Sequence, residues 1–139
     1  MRKNDPIKNI MSDAVFSVQK GQPISEVFKI MHDHNIHHVP VLDGKTLVGI
    51  ISSTDLMQLS VGAQGYDSNQ MWSFIDSQHA LIDVMTAAPK TLHDSDVVRD
   101  AAQVLASGSY HSLPITDAEQ QLVGIVTSTD LIQYLCEQY

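Results

Sequence analysis

Two stretches of this chain set a glycine, hydroxyls and a carboxylate at fixed spacing. They are Gly49, Ser52, Thr54 and Asp55, and again Gly124, Thr127, Thr129 and Asp130. In each, an apolar run of strand type ends at a Ser or Thr, and a helical pattern begins at once. A glycine at the end of such a strand lets a ligand or another backbone come close. The free N–H groups and positive dipole end of the helix that follows attract an anion such as phosphate. Hydroxyls on Ser52, Thr54, Thr127 and Thr129 add hydrogen bonds to phosphate oxygens. Ionised Asp55 and Asp130 only accept, so each suits the two hydroxyl protons of a ribose. The same Ser-x-x-Asp spacing is also a capping box, which leaves a plain helix-capping role open at each copy. Two carboxylates in equivalent settings point to duplicated binding rather than to a divided acid and base.

The motifs belong to a longer internal repeat, which decides the architecture. The run from Leu47 to Leu56 recurs from Leu122 to Leu131 with eight of ten positions identical. Upstream, Ile36-His37-His38-Val39-Pro40-Val41 answers to Tyr110-His111-Ser112-Leu113-Pro114-Ile115, and Ile10-Met11-Ser12 to Val84-Met85-Thr86. Each repeat opens with a short extended piece, residues 14–18 or 90–92. A helix follows, with Ile24, Val27, Phe28, Ile30 and Met31 on one apolar face; its counterpart runs over 97–106. Two strands come next, 39–42 and 47–52, joined by Asp43-Gly44-Lys45, a strong hairpin signal. The counterpart turn, Asp117 to Gln120, is one residue longer. A second helix runs from Ser53 to about Ser60, and its twin from Ser128 to about Glu137. The fold class is therefore α/β (α+β), with two tandem β-α-β-β-α repeats at 1–61 and 80–139. The linker, 62–79, reads as a polar loop and a short amphipathic helix. Its Trp72 is a candidate for core packing, for a lid or for contact with another chain.

Composition narrows the function classes. The chain has 139 residues and a net charge of −8, with only Arg2 and Arg99 as guanidinium groups. A surface that grips nucleic acid is not expected from that balance. The single cysteine, Cys136, fits a reducing compartment. No apolar run approaches the length needed to cross a bilayer, and a cytoplasmic location is expected. No nucleophile elbow, zinc-protease helix, Walker loop or dinucleotide fingerprint is present, so no enzyme is expected. His32, His34, His37 and His38 crowd one stretch. They lack a Cys or carboxylate array and the second repeat does not reproduce them, so no metal site is expected.

These blocks resemble the CBS domain, named after cystathionine β-synthase, and its paired arrangement, the Bateman module. The resemblance covers about Ile7 to Gln138 and rests on three features. They are the twice-present Gly-h-h-(Ser/Thr)-x-x-Asp, the Met11-Ser12 and Met85-Thr86 entries, and the His-x-h-Pro-h strands at His37 and His111. It implies two units about a pseudo-two-fold axis, with sheets forming a cleft for up to two ligands, usually adenosine-containing. AMP, ADP, ATP or an S-adenosyl compound is the implied ligand, and no cofactor is required. Ser12, Val15 and Ser17, with Thr86, Pro89 and Thr91, take positions that often line the base pocket in this family. Pro89 in place of Val15 would make the two pockets unequal. His37 and His111 match a position that reaches the ligand in some members. The resemblance further implies a regulatory module, a homodimer formed through helix residues such as Met57, Leu59, Ile132 and Leu135, and an effector protein acting in trans. The competing reading is a dimerisation or docking module with vestigial pockets.

Overall fold

A computed structural model describes residues 4–61, 65 and 67–139. The strands form two sheets, and the chain divides into two compact units. The polar part of the linker lies largely outside the described residues.

One unit spans Phe16–Pro89. Its sheet has the order β1 (Val18–Gln19), β2 (His38–Asp43), β3 (Thr46–Ser52) and β4 (Thr86–Ala87). β1 runs parallel to β2, which pairs antiparallel with β3 from His38↔Ser52 to Asp43↔Thr46. The helices are α1 (Ile24–His34), α2 (Ser53–Val61), α3 (Ser68–Gln78) and α4 (Leu81–Val84). Ile24, Val27 and Met31 of α1 join Val39, Val41, Ile51, Leu56, Ile75 and Leu81 in one buried cluster. Burial of each such side chain stabilises the fold by about 1.5–3 kcal/mol. Phe28, expected on the buried face, is 38% exposed and stacks instead on Trp72 of α3, with centroids 4.4 Å apart. Of the roles open to Trp72, packing within the chain is the one observed. α3 also supplies the cap that α1 lacks. Pro23 gives α1 no side-chain cap, and Asp76 accepts from Ser25 N–H at 2.9 Å and from Ser25 Oγ at 2.5 Å.

The other unit joins the first fifteen residues to Lys90–Tyr139. It has β5 (Leu92–His93), β6 (Ser112–Thr116) and β7 (Leu122–Thr127), with α5 (Val98–Ala106) and α6 (Ser128–Glu137). Ile7, in a short 3-10 turn, is fully buried with Ala101, Leu105, Leu113, Ile115 and Val126. The entry to α5 is tied to the N-terminal segment: Val98 N–H donates to the Asp5 carbonyl at 2.8 Å, and Ile7 N–H to the Asp96 carbonyl at 2.9 Å. Tyr134 of α6 donates to the Asp5 carboxylate.

The compact units do not coincide with the sequence repeats, because each borrows its entry segment from the other repeat. β4, from the start of the second repeat, pairs with β3 through Gly49↔Ala87 and Ile50↔Thr86. Ser12, from the first repeat, bridges to Ile125 of β7 with both N–H···O distances 2.9 Å. The initial strands are shorter than the sequence implies, two residues each, because only Val18–Gln19 and Leu92–His93 find parallel partners. The turns differ as expected. Gly44 takes φ 65°, whereas Gln120 carries φ 64° without being glycine. Asp117 Oδ1 holds that second turn by accepting the N–H groups of Glu119 and Gln121 at 2.9 and 3.0 Å.

Candidate functional site

The duplicated motif adopts one geometry twice. At the β3–α2 junction Asp55 Oδ2 accepts Ser52 N–H at 2.8 Å, and Ser52 Oγ accepts Asp55 N–H at 3.2 Å. At the β7–α6 junction Asp130 Oδ2 accepts Thr127 N–H at 2.9 Å, and Thr127 Oγ1 accepts Asp130 N–H at 3.2 Å. The capping box left open by the sequence is thus formed in both copies. It engages one carboxylate oxygen only. Among the described residues, Oδ1 of Asp55 and of Asp130 has no protein donor. An ionised carboxylate oxygen with two lone pairs is still able to take two hydroxyl protons. Ser52, Asp55, Thr127 and Asp130 are half-buried, while Thr54 and Thr129 are exposed.

What approaches the motif glycines is methionine. A Cβ on Gly49 would lie 2.4 Å from Met85 Sδ; one on Gly124 would lie 2.6 Å from Met11 Sδ and 3.1 Å from the Ser12 carbonyl oxygen. Each glycine makes room for the Met of the borrowed entry segment. This places the next residue, Thr86 or Ser12, against the strand that carries the motif. Both methionines stand in the sequence pattern, at Met11-Ser12 and Met85-Thr86, without showing which residue they pack against. Their fixed position before Thr86 and Ser12, in two repeats, was the available signal.

The remaining candidates divide between the units. Ser17, His37, Thr86 and Pro89 share a unit with Ser52, Thr54 and Asp55; Ser12, Val15, Thr91 and His111 share one with Thr127, Thr129 and Asp130. The sequence cluster Ser12, Val15 and Ser17 is therefore split, as is Thr86, Pro89 and Thr91. Val15, Ser17, Pro89 and Thr91 are half-buried, and Ser12 and Thr86 are exposed. His37 and His111 are exposed, and their carbonyls accept Ser53 N–H at 2.8 Å and Ser128 N–H at 3.1 Å. Those bonds tie the start of β2 or β6 to the helix that follows the motif. Asp130 also borders a hollow of about 210 Å³ with Asn9, Ile10, Gln133, Tyr134 and Glu137. Among the described residues no three His, Cys, Asp or Glu side chains converge as a metal would require, and no helix is long and apolar enough to cross a membrane.

Comparison with known proteins agrees with this geometry. The CBS domain family model matches residues 7–62 and 81–137, following the sequence repeats. A CBS domain-containing protein of Bacillus subtilis, YhcV, is 30% identical over 125 residues, covering 90% of this chain and 81% of that protein. The chloroplastic CBSX1 of Arabidopsis thaliana is 28% identical over 134 residues, and the chain spans 57% of its length. The chain also matches 22% of an L-aspartate semialdehyde sulfurtransferase of Methanocaldococcus jannaschii at 29% identity. Among solved structures, the CBS domain pair of MJ0100 in complex with 5′-methylthioadenosine and S-adenosyl-L-methionine superposes with TM-score 0.78 at 26% identity, covering 98% of this chain and 99% of that one. CBSX2 in complex with AMP has the same fold, with TM-score 0.80 at 24% identity over 96% of this chain and 98% of that one. With one match over each repeat and both motifs intact, this chain belongs to the CBS domain family and carries the domain twice.

Proposed function

We propose that this protein is a ligand-sensing regulatory module that binds an adenosine-type molecule at its duplicated motif. The observation that carries the reading is the pair of half-buried carboxylates, Asp55 and Asp130, each with one oxygen held by a helix cap and the other without a donor among the described residues. A 2′,3′-diol suits that free oxygen. The MJ0100 domain pair, crystallised with 5′-methylthioadenosine and S-adenosyl-L-methionine, supports an adenosine ligand for this chain too. Thr54 and Thr129, exposed at the first turn of α2 and α6, are the hydroxyls on offer to phosphate. Ser12, Val15 and Ser17 with Thr86, Pro89 and Thr91 are assigned to the base, and His37 and His111 are assigned to the ligand pocket as well.

The module acts without chemistry of its own. The chain covers only about a fifth of the sulfurtransferase it matches, which fits an accessory module better than a catalytic one. The net charge of −8 supports neither nucleic acid nor an anionic membrane as partner. We place the protein in the cytoplasm as a homodimer that signals to an effector in trans. Met57 and Ile132, at equivalent positions of α2 and α6, are 69% and 60% exposed and are available for a self-contact. Leu59 packs against the core of its own unit, so it contributes less to such a contact than the sequence implied.

Native mass spectrometry of freshly purified protein tests this reading. Co-purified adenine nucleotide or S-adenosyl compound is the expected result. Protein that carries none, and takes up none when AMP or S-adenosyl-L-methionine is added, would contradict it.

A further inference from the structure

We infer that Met85 and Met11 are sites of reversible oxidation, at which a small peroxide converts the thioether to a sulfoxide and so unseats the entry segment of each unit. The effect on ligand rests on the function proposed above; the effect on seating does not.

Both sulfurs sit in a notch that a glycine leaves open. A Cβ on Gly49 would meet Met85 Sδ at 2.4 Å and its Cγ and Cε at 3.0 Å; one on Gly124 would meet Met11 Sδ at 2.6 Å and its Cγ at 3.1 Å. Each methionine also packs on a buried apolar cluster. For Met85 it is the one that holds Val39, Ile51 and Leu56, and for Met11 the one that holds Leu113, Ile115 and Val126. Both side chains are only half-buried, which admits a molecule the size of hydrogen peroxide.

In the reaction one peroxide oxygen bonds to Sδ as the O–O bond breaks. Sulfur loses two electrons, the peroxide gains them, and the second oxygen leaves as water with both protons. The product is a polar side chain in place of an apolar one. Its new oxygen, set between a glycine and an apolar cluster, is costly to bury without a hydrogen bond. The side chain therefore leaves the notch to hydrate that oxygen. Next to it in the chain lie Thr86 and Ala87, paired with β3, or Ser12 with its two bonds to Ile125. Position rather than exposure singles out these two methionines. Met57 is more exposed and oxidises too, yet it lies on α2 and holds no entry segment; Met31 is buried, and Met71 lies within α3.

The test treats the Met57→Leu protein with hydrogen peroxide and maps sulfoxides by peptide mass spectrometry. AMP affinity and the unfolding midpoint are then measured. Sulfoxide at Met11 and Met85, a lower midpoint and AMP binding weaker by roughly tenfold or more are expected. A thiol reductant alone reverses a sulfenic acid or disulfide at the exposed Cys136 and should restore neither readout. Methionine sulfoxide reductase added with it should restore both. The same protein carrying Met11→Leu and Met85→Leu should give equal values before and after peroxide; if it does not fold, the reductase arm decides. Sulfoxide at both positions with midpoint and affinity unchanged overturns the inference. So do a loss that the reductase fails to reverse, an equal loss in the leucine protein, and peroxide that leaves both methionines reduced. If the untreated protein binds no AMP, the proposed function fails instead, and the midpoint alone decides the seating.

Discussion

Met85 Sδ occupies the space that a side chain at residue 49 would need: a Cβ built on Gly49 falls 2.4 Å from it, closer than non-bonded atoms approach. The same relation joins Gly124 to Met11. The motif glycine thus serves the seating of the borrowed entry segment in each unit. Through that segment it sets Thr86 and Ser12 against the strands that lead to Asp55 and Asp130.

Gly49→Ala should therefore destabilise the protein by about 1–3 kcal/mol, the usual cost of overpacking a filled site. Shortening the methionine in the same molecule, as Gly49→Ala with Met85→Ala, should recover part of that loss, because the two sites share one contact. Urea unfolding of the four proteins in the cycle measures the coupling. Additive effects would show that the glycine is there for some other reason.

The cap that α3 lends to α1 makes a second test. Asp76→Ala removes both bonds to Ser25, and losing a cap costs about 0.5–2 kcal/mol. Amide exchange at Ser25 should quicken and Trp72 should become more exposed. An unchanged Ser25 amide would mean that α3 is held by its apolar contacts alone.

Much of this architecture was legible in the sequence, because hydrophobic period and turn chemistry are local. The repeat marked the helices that begin at 24, 97 and 128, the second observed at Val98–Ala106, and Asp43-Gly44 marked its hairpin. The exchange of entry segments was not legible. Ser12 and Thr86 lie beside β7 and β3 through pairings more than thirty residues away in the chain, and neither segment carries a period of its own. Phe28 was placed on the buried face by spacing alone, and only the packing of α3 shows why it faces Trp72. At the motif, residue types allowed either a cap or a ribose contact. The backbone geometry adds that the cap consumes a single carboxylate oxygen.

Ligand preference follows from charge. The chain has 8 Lys and Arg against 16 Asp and Glu, and the motif offers hydroxyls rather than guanidinium groups. AMP, ADP or S-adenosyl-L-methionine should bind more tightly than ATP in side-by-side calorimetry. ATP binding at least tenfold tighter than AMP would overturn this.

Self-association should depend on the exposed apolar residues of α2 and α6. Light scattering at tens of micromolar protein is expected to give a dimer. Met57→Lys with Ile132→Lys should shift it toward monomer without lowering the unfolding temperature appreciably, since both side chains are more than half exposed. A monomeric wild-type protein at that concentration would contradict the assignment.

At Asp55 and Asp130 the cap takes Oδ2, and Oδ1 has no donor among the described residues. Asparagine separates their two roles, because its single carbonyl oxygen is able to keep the bond from Ser52 or Thr127 N–H while its amide replaces the remaining acceptor with a donor. Titration of AMP into wild type, Asp55→Asn and Asp130→Asn by calorimetry, beside thermal unfolding of each, is the direct measurement. A hydrogen bond to a charged acceptor contributes about 1.5–3 kcal/mol, so each variant should lose roughly ten- to a hundredfold in affinity at one binding event while unfolding near the wild-type temperature. Unchanged AMP binding in both variants would leave these carboxylates as helix caps and contradict the ligand site.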